Sequence, residues 1–197
     1  MTLLASLIAV YAALVLAGTP VAPPFVVALR RAVPLAVAAH LAGGMVAMAI
    51  GPWQLSSRLR ARAINMHRWF GRGYLVGVLV GGAGALVLAP RSQEGLVTHV
   101  GFGLLAVLWI ASTLQAYRHI RARQIELHRR WMIRSFSLTL AAVTLRIILP
   151  FELAIGIPFP DAYQVVSWLC WVPNLVVAEW IVLRSARQSV AAVVMTG

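Results

Sequence analysis

Residues 60–69 read Arg-Ala-Arg-Ala-Ile-Asn-Met-His-Arg-Trp, and residues 121–131 read Arg-Ala-Arg-Gln-Ile-Glu-Leu-His-Arg-Arg-Trp. The chain thus carries one basic phrase twice, and apolar runs flank each copy. A glutamine also precedes the histidine of each copy by the same interval, Gln54 in the first and Gln115 in the second. Such an internal repeat predicts a duplicated unit made of a helix, a basic turn and a second helix.

The composition places these units in a membrane. Apolar residues make up 61% of the 197 residues and charged residues only 11%, and the mean hydropathy is +0.85. A soluble domain of this size needs more polar surface. In lipid every backbone group must be satisfied internally, and the long unbroken apolar runs favour helices over a barrel. The sequence therefore predicts an all-α integral membrane protein.

Six transmembrane helices are predicted, at about residues 3–17, 33–50, 69–89, 96–117, 131–149 and 162–183. The whole chain, 1–197, is expected to form a single transmembrane domain. Its middle four spans should make a central four-helix bundle from two duplicated helix hairpins. Prolines predict a turn over residues 20–24, the ends of three spans, an extended loop over residues 151–161 and a kink at Pro173.

The orientation follows from the charges. The net charge is +12, and most of the arginines stand in the two loops that carry the basic phrase. This placement excludes nucleic acid as the partner and favours the lipid bilayer, with anionic lipid head groups at the arginine-rich face. The positive-inside rule then puts both phrases and both chain termini in the cytoplasm.

Few other residues offer chemistry. The single cysteine, Cys170, excludes an internal disulfide and a cysteine-based metal site, and we expect a small core residue there. Glu179 is the one acidic group well inside a late span, and its position near the cytoplasmic end favours an interfacial role. No nucleophile–base pair or carboxylate dyad lies within the spans, which argues against a hydrolase.

Four histidines fall into two layers of the predicted topology. His40 lies about 10 Å inside the outer end of the second span, and His99 stands near the outer end of the fourth. His67 and His128 begin the third and fifth spans at the inner face. Axial imidazoles approach a haem iron from opposite sides, so pairs at one depth on alternate helices predict two haem b groups with these four ligands.

Neighbouring residues support this interpretation. Glycine, which permits close approach of a macrocycle, follows three of the histidines by one helical turn, as Gly44, Gly71 and Gly103. Arginines that can pair with haem propionates lie beside the inner layer, as Arg68, Arg72, Arg129 and Arg134. An intramembrane charge, Arg146, is the candidate partner of the outer layer.

Other interpretations stay open. The inner histidines are also typical of head-group anchors, and the outer ones can hydrogen-bond a neighbouring helix. Gly73, Gly77 and Gly81 form a helix-packing face. Relative to the repeated glutamines, His40 and His99 are offset by two residues, which turns a helix by about 200°. The alternative function is a haem-free protein that binds anionic lipid or a partner through its arginine–tryptophan belts.

The sequence resembles a family of bacterial integral membrane proteins of uncharacterised role, domain-of-unknown-function family 2306. The resemblance rests on Gly-Pro-Trp-Gln at 51–54, His-Arg-Trp-Phe-Gly-Arg-Gly-Tyr at 67–74, His-Arg-Arg-Trp-Met-Ile-Arg-Ser at 128–135, and the stretch up to Arg146. It covers roughly residues 35–150. It implies a multi-pass protein of the bacterial inner membrane and brings no established activity.

The order of the histidines also resembles that of cytochrome b561-type di-haem membrane proteins, in which spans two and four hold one haem and spans three and five the other. This resemblance implies an outer haem on His40 and His99 and an inner haem on His67 and His128. It also implies electron transfer across the membrane. An active protein would then be a transmembrane oxidoreductase, with a donor and an acceptor that the sequence does not name.

Overall fold

The fold is helical throughout the part of the chain that the structure describes. A computed structural model describes residues 2–17, 19 and 24–196, which form ten α-helices and one 3-10 turn and contain no strand. Residues 20–23 of the predicted turn lie outside the described residues. The helices are α1 (Thr2–Leu16), α2 (Pro24–Ala32), α3 (Pro34–Gln54), α4 (Ser57–Arg62), α5 (Ile64–Leu88), α6 (Leu96–Arg121), α7 (Ile125–Thr139), α8 (Ala141–Ala154), α9 (Phe159–Leu169) and α10 (Val172–Thr196).

Five segments of the described chain are long and apolar enough to cross a membrane. They are Pro34–Gln54, Ile64–Arg91, Leu96–Arg121, Ile125–Ala154 and Phe159–Arg187. The first predicted span is the 15-residue helix α1, whose length of about 22 Å is less than a typical hydrocarbon core of about 30 Å. The protein is therefore a multi-pass helical membrane protein, and its sixth span stays a prediction.

Proline positions account for the largest differences from the predicted boundaries. Helix α3 continues through Pro52 and helix α8 continues through Pro150, because a proline near the end of a helix removes only one backbone hydrogen bond. At Pro173 the sixth predicted span does break, into α9 and α10, and the proline occupies the first turn of α10, where it is well tolerated. The fifth predicted span also breaks, at Leu140.

The central helices pack as a ring. Helix α3 packs along α5, α5 along α6 and α6 along α7, and α3 also contacts α7. In this order α3 lies diagonally opposite α6, and α5 lies diagonally opposite α7. Each basic phrase therefore lies where two packed helices of a pair are joined.

The α3–α5 contact is a backbone contact through glycines. A Cβ atom added at Gly77 would lie 3.0 Å from the carbonyl oxygen of Gly43, and one added at Gly81 would lie 3.0 Å from the amide nitrogen of Gly44. The predicted packing face of glycines on the third span thus lies against α3. Close approach of this kind is how membrane helices gain packing energy where the surrounding lipid is equally apolar.

A buried hydroxyl cluster joins α5, α6 and α7. The phenol oxygen of Tyr74 lies 2.9 Å from Ser135 Oγ and 2.7 Å from Thr139 Oγ1. The indole nitrogen of Trp109 donates to Thr139 Oγ1 at 2.8 Å, and Thr113 Oγ1 lies 2.6 Å from Ser135 Oγ. All five side chains are buried. Their polar groups find hydrogen-bond partners in one another, and these bonds stabilise the centre of the bundle. The expected core position of Cys170 is also confirmed, since this residue is fully buried.

Candidate cofactor site

The inner histidines occupy equivalent places on the two diagonal helices. His67 stands in the first turn of α5 and His128 in the first turn of α7. The two imidazoles lie within electrostatic range of each other. Their use as a pair of ligands stays a prediction.

The Nδ1 atoms of the two histidines differ in their hydrogen bonding. His128 Nδ1 lies 2.8 Å from the carbonyl oxygen of Ala116 in α6. A carbonyl can only accept, so Nδ1 carries the proton and the lone pair is on Nε2, the tautomer that metal-bound histidines commonly adopt. His67 Nδ1 is buried and lacks a hydrogen-bond partner among the described residues, a rare condition that leaves room for a missing partner.

Positive charge surrounds the pair, partly from residues that the sequence analysis did not select. Arg60 and Arg68 lie within electrostatic range of His67, and Arg60 and His119 lie within range of His128. Arg60 opens the first basic phrase, so the repeat itself was the available clue. These cations suit the acidic groups of a ligand such as haem propionates.

The arginines predicted around the second copy are instead paired with carboxylates. Arg129 lies 3.8 Å from Glu126. Arg134 Nη2 donates to Glu179 Oε2 at 2.8 Å, and its guanidinium carbon stacks 4.7 Å from the ring centroid of Trp131. Arg129 shares Glu126 with Arg130, which lies 3.5 Å from the same carboxylate, whereas the charge of Arg134 is compensated by Glu179, which joins α10 to α7.

The outer histidines are not brought together. His40 Nδ1 lies 3.0 Å from the carbonyl oxygen of Gly81 in α5, whereas His99 Nε2 lies 3.0 Å from the carbonyl oxygen of Ser92 in the loop before its own helix. Helices α3 and α6 are diagonal and share little contact. The two imidazoles thus point to different elements, as the two-residue offset in the repeat indicated.

Arg146 lies beside His40 but is held by other groups. Its guanidinium carbon stacks 4.9 Å from the ring centroid of Tyr11 in α1, and Nη1 donates to the carbonyl oxygen of Ala142 at 2.8 Å. It is also within electrostatic range of His40. This arrangement stabilises a charge within the membrane by a cation–π contact and a backbone carbonyl.

The three glycines that were predicted to permit close approach of a haem differ in the space around them. A Cβ atom at Gly44 would meet nothing within 4 Å, and one at Gly103 would meet only Ala89, at 3.8 Å. A Cβ atom at Gly71 would lie 3.2 Å from Oε1 of Gln54. The buried Gln54 in turn donates from Nε2 to the carbonyl oxygen of His67, at 3.3 Å, so the repeated glutamine supports the inner histidine.

Metal binding by side chains alone has little support. No group of three or more histidine, cysteine, aspartate or glutamate residues that could hold a metal ion occurs within the described ranges. A haem iron needs only two imidazoles from the protein, because the haem supplies the other four ligands itself.

These features define the class as multi-pass helical membrane proteins with two half-buried histidines at a strongly basic face. Within that class, the chain belongs to the family of predicted membrane proteins DUF2306, whose family model matches residues 37–182. The resemblance seen in the basic phrases is thereby confirmed. No curated protein and no solved structure is significantly similar to the chain.

Proposed function

We propose that the protein is a membrane-embedded b-type cytochrome whose haem is held at the arginine-rich face by His67 and His128. The observation that carries the proposal is that these two imidazoles, from the first turns of diagonal helices, lie within electrostatic range of each other. One of them has its Nδ1 bonded to a backbone carbonyl, and the other has a buried Nδ1 without a partner among the described residues. A bis-histidine haem requires two imidazoles, one on each side of the macrocycle.

The chain's own residues would hold and tune the group. Bound between two imidazoles, a haem supplies one-electron chemistry at its iron. Ala116 fixes the tautomer of His128, and Gln54 fixes the backbone at His67. Arg60 and Arg68 would compensate the propionates. The hydroxyl cluster around Tyr74 lies seven residues, or about 10 Å, along the helix from His67 and would bound the haem on that side.

The outer layer does not fit a second haem of the same kind. His40 has its Nδ1 bonded to a backbone carbonyl, as His128 has, but His99 uses Nε2 in a bond to the loop before its own helix, so this nitrogen is not free to bind an iron opposite His40. The proposal is therefore limited to one haem, at the inner face.

The test is an ultraviolet–visible spectrum of detergent-purified protein from haem-replete cells, before and after dithionite. We expect a Soret band, sharp reduced α and β bands, and a pyridine-haemochrome ratio of about one haem per chain. Replacing His67 or His128 with alanine should remove these bands. His119→Ala and His99→Ala are the matched controls and should keep them.

A colourless, folded wild-type protein from such cells would overturn the proposal. A spectrum that survives His128→Ala but is lost with His99→Ala would also overturn it, because the haem would then be bound at the outer layer.

A further inference from the structure

A groove on the membrane-facing side of α3 and α5 offers a second binding site. Its volume is about 500 Å³. The lining is apolar and includes Ala42, Gly43, Val76, Gly77 and Val80, while Trp69 and Arg72 mark its inner end. Val76 and Val80 are 58% and 43% exposed, so the groove is open to the hydrocarbon of the bilayer.

The two copies of the basic phrase differ in whether the arginine that follows each of them has a carboxylate partner. In each copy an arginine three residues after the tryptophan stacks on it, Arg72 on Trp69 at 4.8 Å and Arg134 on Trp131 at 4.7 Å. Arg134 is neutralised by Glu179, which α10 presents as it packs on α7. Arg72 has no carboxylate within ion-pair distance among the described residues.

An arginine inside a span needs a counter-charge. Arg72 stands about 12 Å along α5 from its first residue, at 1.5 Å per residue, so its long side chain reaches the head-group region. At that level a guanidinium without a carboxylate partner is attracted to an anionic head group. In the second copy, α10 supplies both a carboxylate and an apolar cover; in the first, the charge adjoins an open apolar groove.

We propose that this groove binds one anionic phospholipid, with its phosphate on Arg72 and an acyl chain along Gly73, Gly77 and Val80. Charge complementarity selects an anionic head group, and guanidinium–phosphate hydrogen bonds are among the strongest in proteins. The lining is apolar apart from Arg72 and the glycines leave it shallow enough for an acyl chain to lie along α5, with its anionic head group at the arginine. Arg72, which the sequence analysis offered as a propionate partner, is not among the groups that interact with His67 or His128, so the lipid site does not depend on the haem.

The experiment is native mass spectrometry of the full-length protein after incubation in detergent with phosphatidylglycerol or with phosphatidylcholine. Wild-type protein should retain a phosphatidylglycerol adduct roughly tenfold more than a phosphatidylcholine adduct, the ratio expected for a charge-assisted bond. Arg72→Gln should abolish this preference. Val76→Trp, which fills the groove from an exposed position, should remove both adducts.

Matched controls separate the groove from the general basicity of the chain. Arg118→Gln removes an exposed arginine from the same face, and Val176→Trp adds a tryptophan at an exposed position of α10. Both should behave as wild type. Should Val76→Trp fail to fold, Val80→Trp fills the same groove.

Two results would overturn the proposal. One is wild-type lipid retention and preference in both Arg72→Gln and the groove-filling variant. The other is a dimer that the groove-filling variant dissociates while lipid retention is unchanged, which would identify a second copy of the chain as the occupant.

Discussion

Arg134 in α7 and Glu179 in α10 form a two-point ion pair, in which Nη2 lies 2.8 Å from Oε2 and Nε donates to Oε1. The two residues are 45 positions apart, and the pair joins the fifth span to the last one at their inner ends. The ring of Trp131 stacks on the guanidinium from one side. These half-buried side chains thus combine an ion pair, two hydrogen bonds and a cation–π interaction.

Glu179→Gln should lower the free energy of unfolding by about 1–2 kcal/mol, because it removes a charge-assisted pair that is only partly shielded from solvent. Equilibrium unfolding in mixed micelles measures this change. Asp161→Asn, at an exposed acid, is the control and should be neutral within about 0.5 kcal/mol. In a double-mutant cycle, Arg134→Gln should cost little once Glu179 is changed; strictly additive losses would contradict a direct interaction.

Gly43→Ala and Gly44→Ala should differ sharply although the residues are adjacent. A Cβ atom at Gly43 would collide with the backbone of Gly77 and Gly81, whereas one at Gly44 meets nothing within 4 Å. We expect Gly43→Ala to cost about 1–3 kcal/mol by forcing α3 and α5 apart, and Gly44→Ala to change stability by less than about 1 kcal/mol. Equilibrium unfolding in mixed micelles measures this difference. Equal losses of stability in the two variants would show that α3 and α5 do not meet at Gly43.

Periodicity and charge predicted much of this molecule because they act over whole helices. Apolar length indicated the helices, and the doubled phrase indicated where they pair. The inner histidines were correctly placed at equivalent depths because each stands at the start of a helix; their pairing as ligands stays a prediction. Gln54 and Arg60 belong to the repeat as well, so their roles beside His67 were within reach of the sequence.

The remaining features depend on tertiary contacts that a single sequence does not specify. The direction of the His99 ring follows from a carbonyl at Ser92 in the preceding loop. Arg134 finds its partner 45 residues away. Helix α8 continues through Pro150, and the chain breaks at Leu140 without a proline or glycine to mark the place. Each of these outcomes is decided by a neighbouring element.

Tyr74→Phe should destabilise the bundle by about 1–2 kcal/mol, because it leaves two buried hydroxyls, those of Ser135 and Thr139, without one of their partners. Tyr163→Phe is the control, since that ring packs against Phe102 and Phe159 and should lose far less. Thermal unfolding of the detergent-purified variants ranks them. Both substitutions keep the aromatic ring, so an equal loss in the two variants would mean that the hydroxyl cluster contributes no more to stability than the Tyr163 hydroxyl does.

The predicted orientation can be read from single cysteines in a Cys170→Ala background. Ser57 and Gln124 are exposed near the two basic phrases, and Gln93 and Asp161 are exposed at the opposite ends of the spans. If the arginine-rich face is cytoplasmic, an impermeant maleimide added to spheroplasts should label cysteines at 93 and 161, and those at 57 and 124 only after permeabilisation. The reverse pattern would contradict the predicted orientation.

A cysteine at Thr2, in the same background, tests whether α1 crosses the membrane. Six spans place both termini on the cytoplasmic face, so this cysteine should be protected in spheroplasts and become labelled on permeabilisation. Five spans place the two termini on opposite faces, and the cysteine would then be labelled at once. The length of about 22 Å for α1 allows a crossing only where the bilayer is thinned or flanking residues extend to the head groups. Labelling before permeabilisation would therefore assign α1 to the outer face and reduce the membrane domain to the five longer segments.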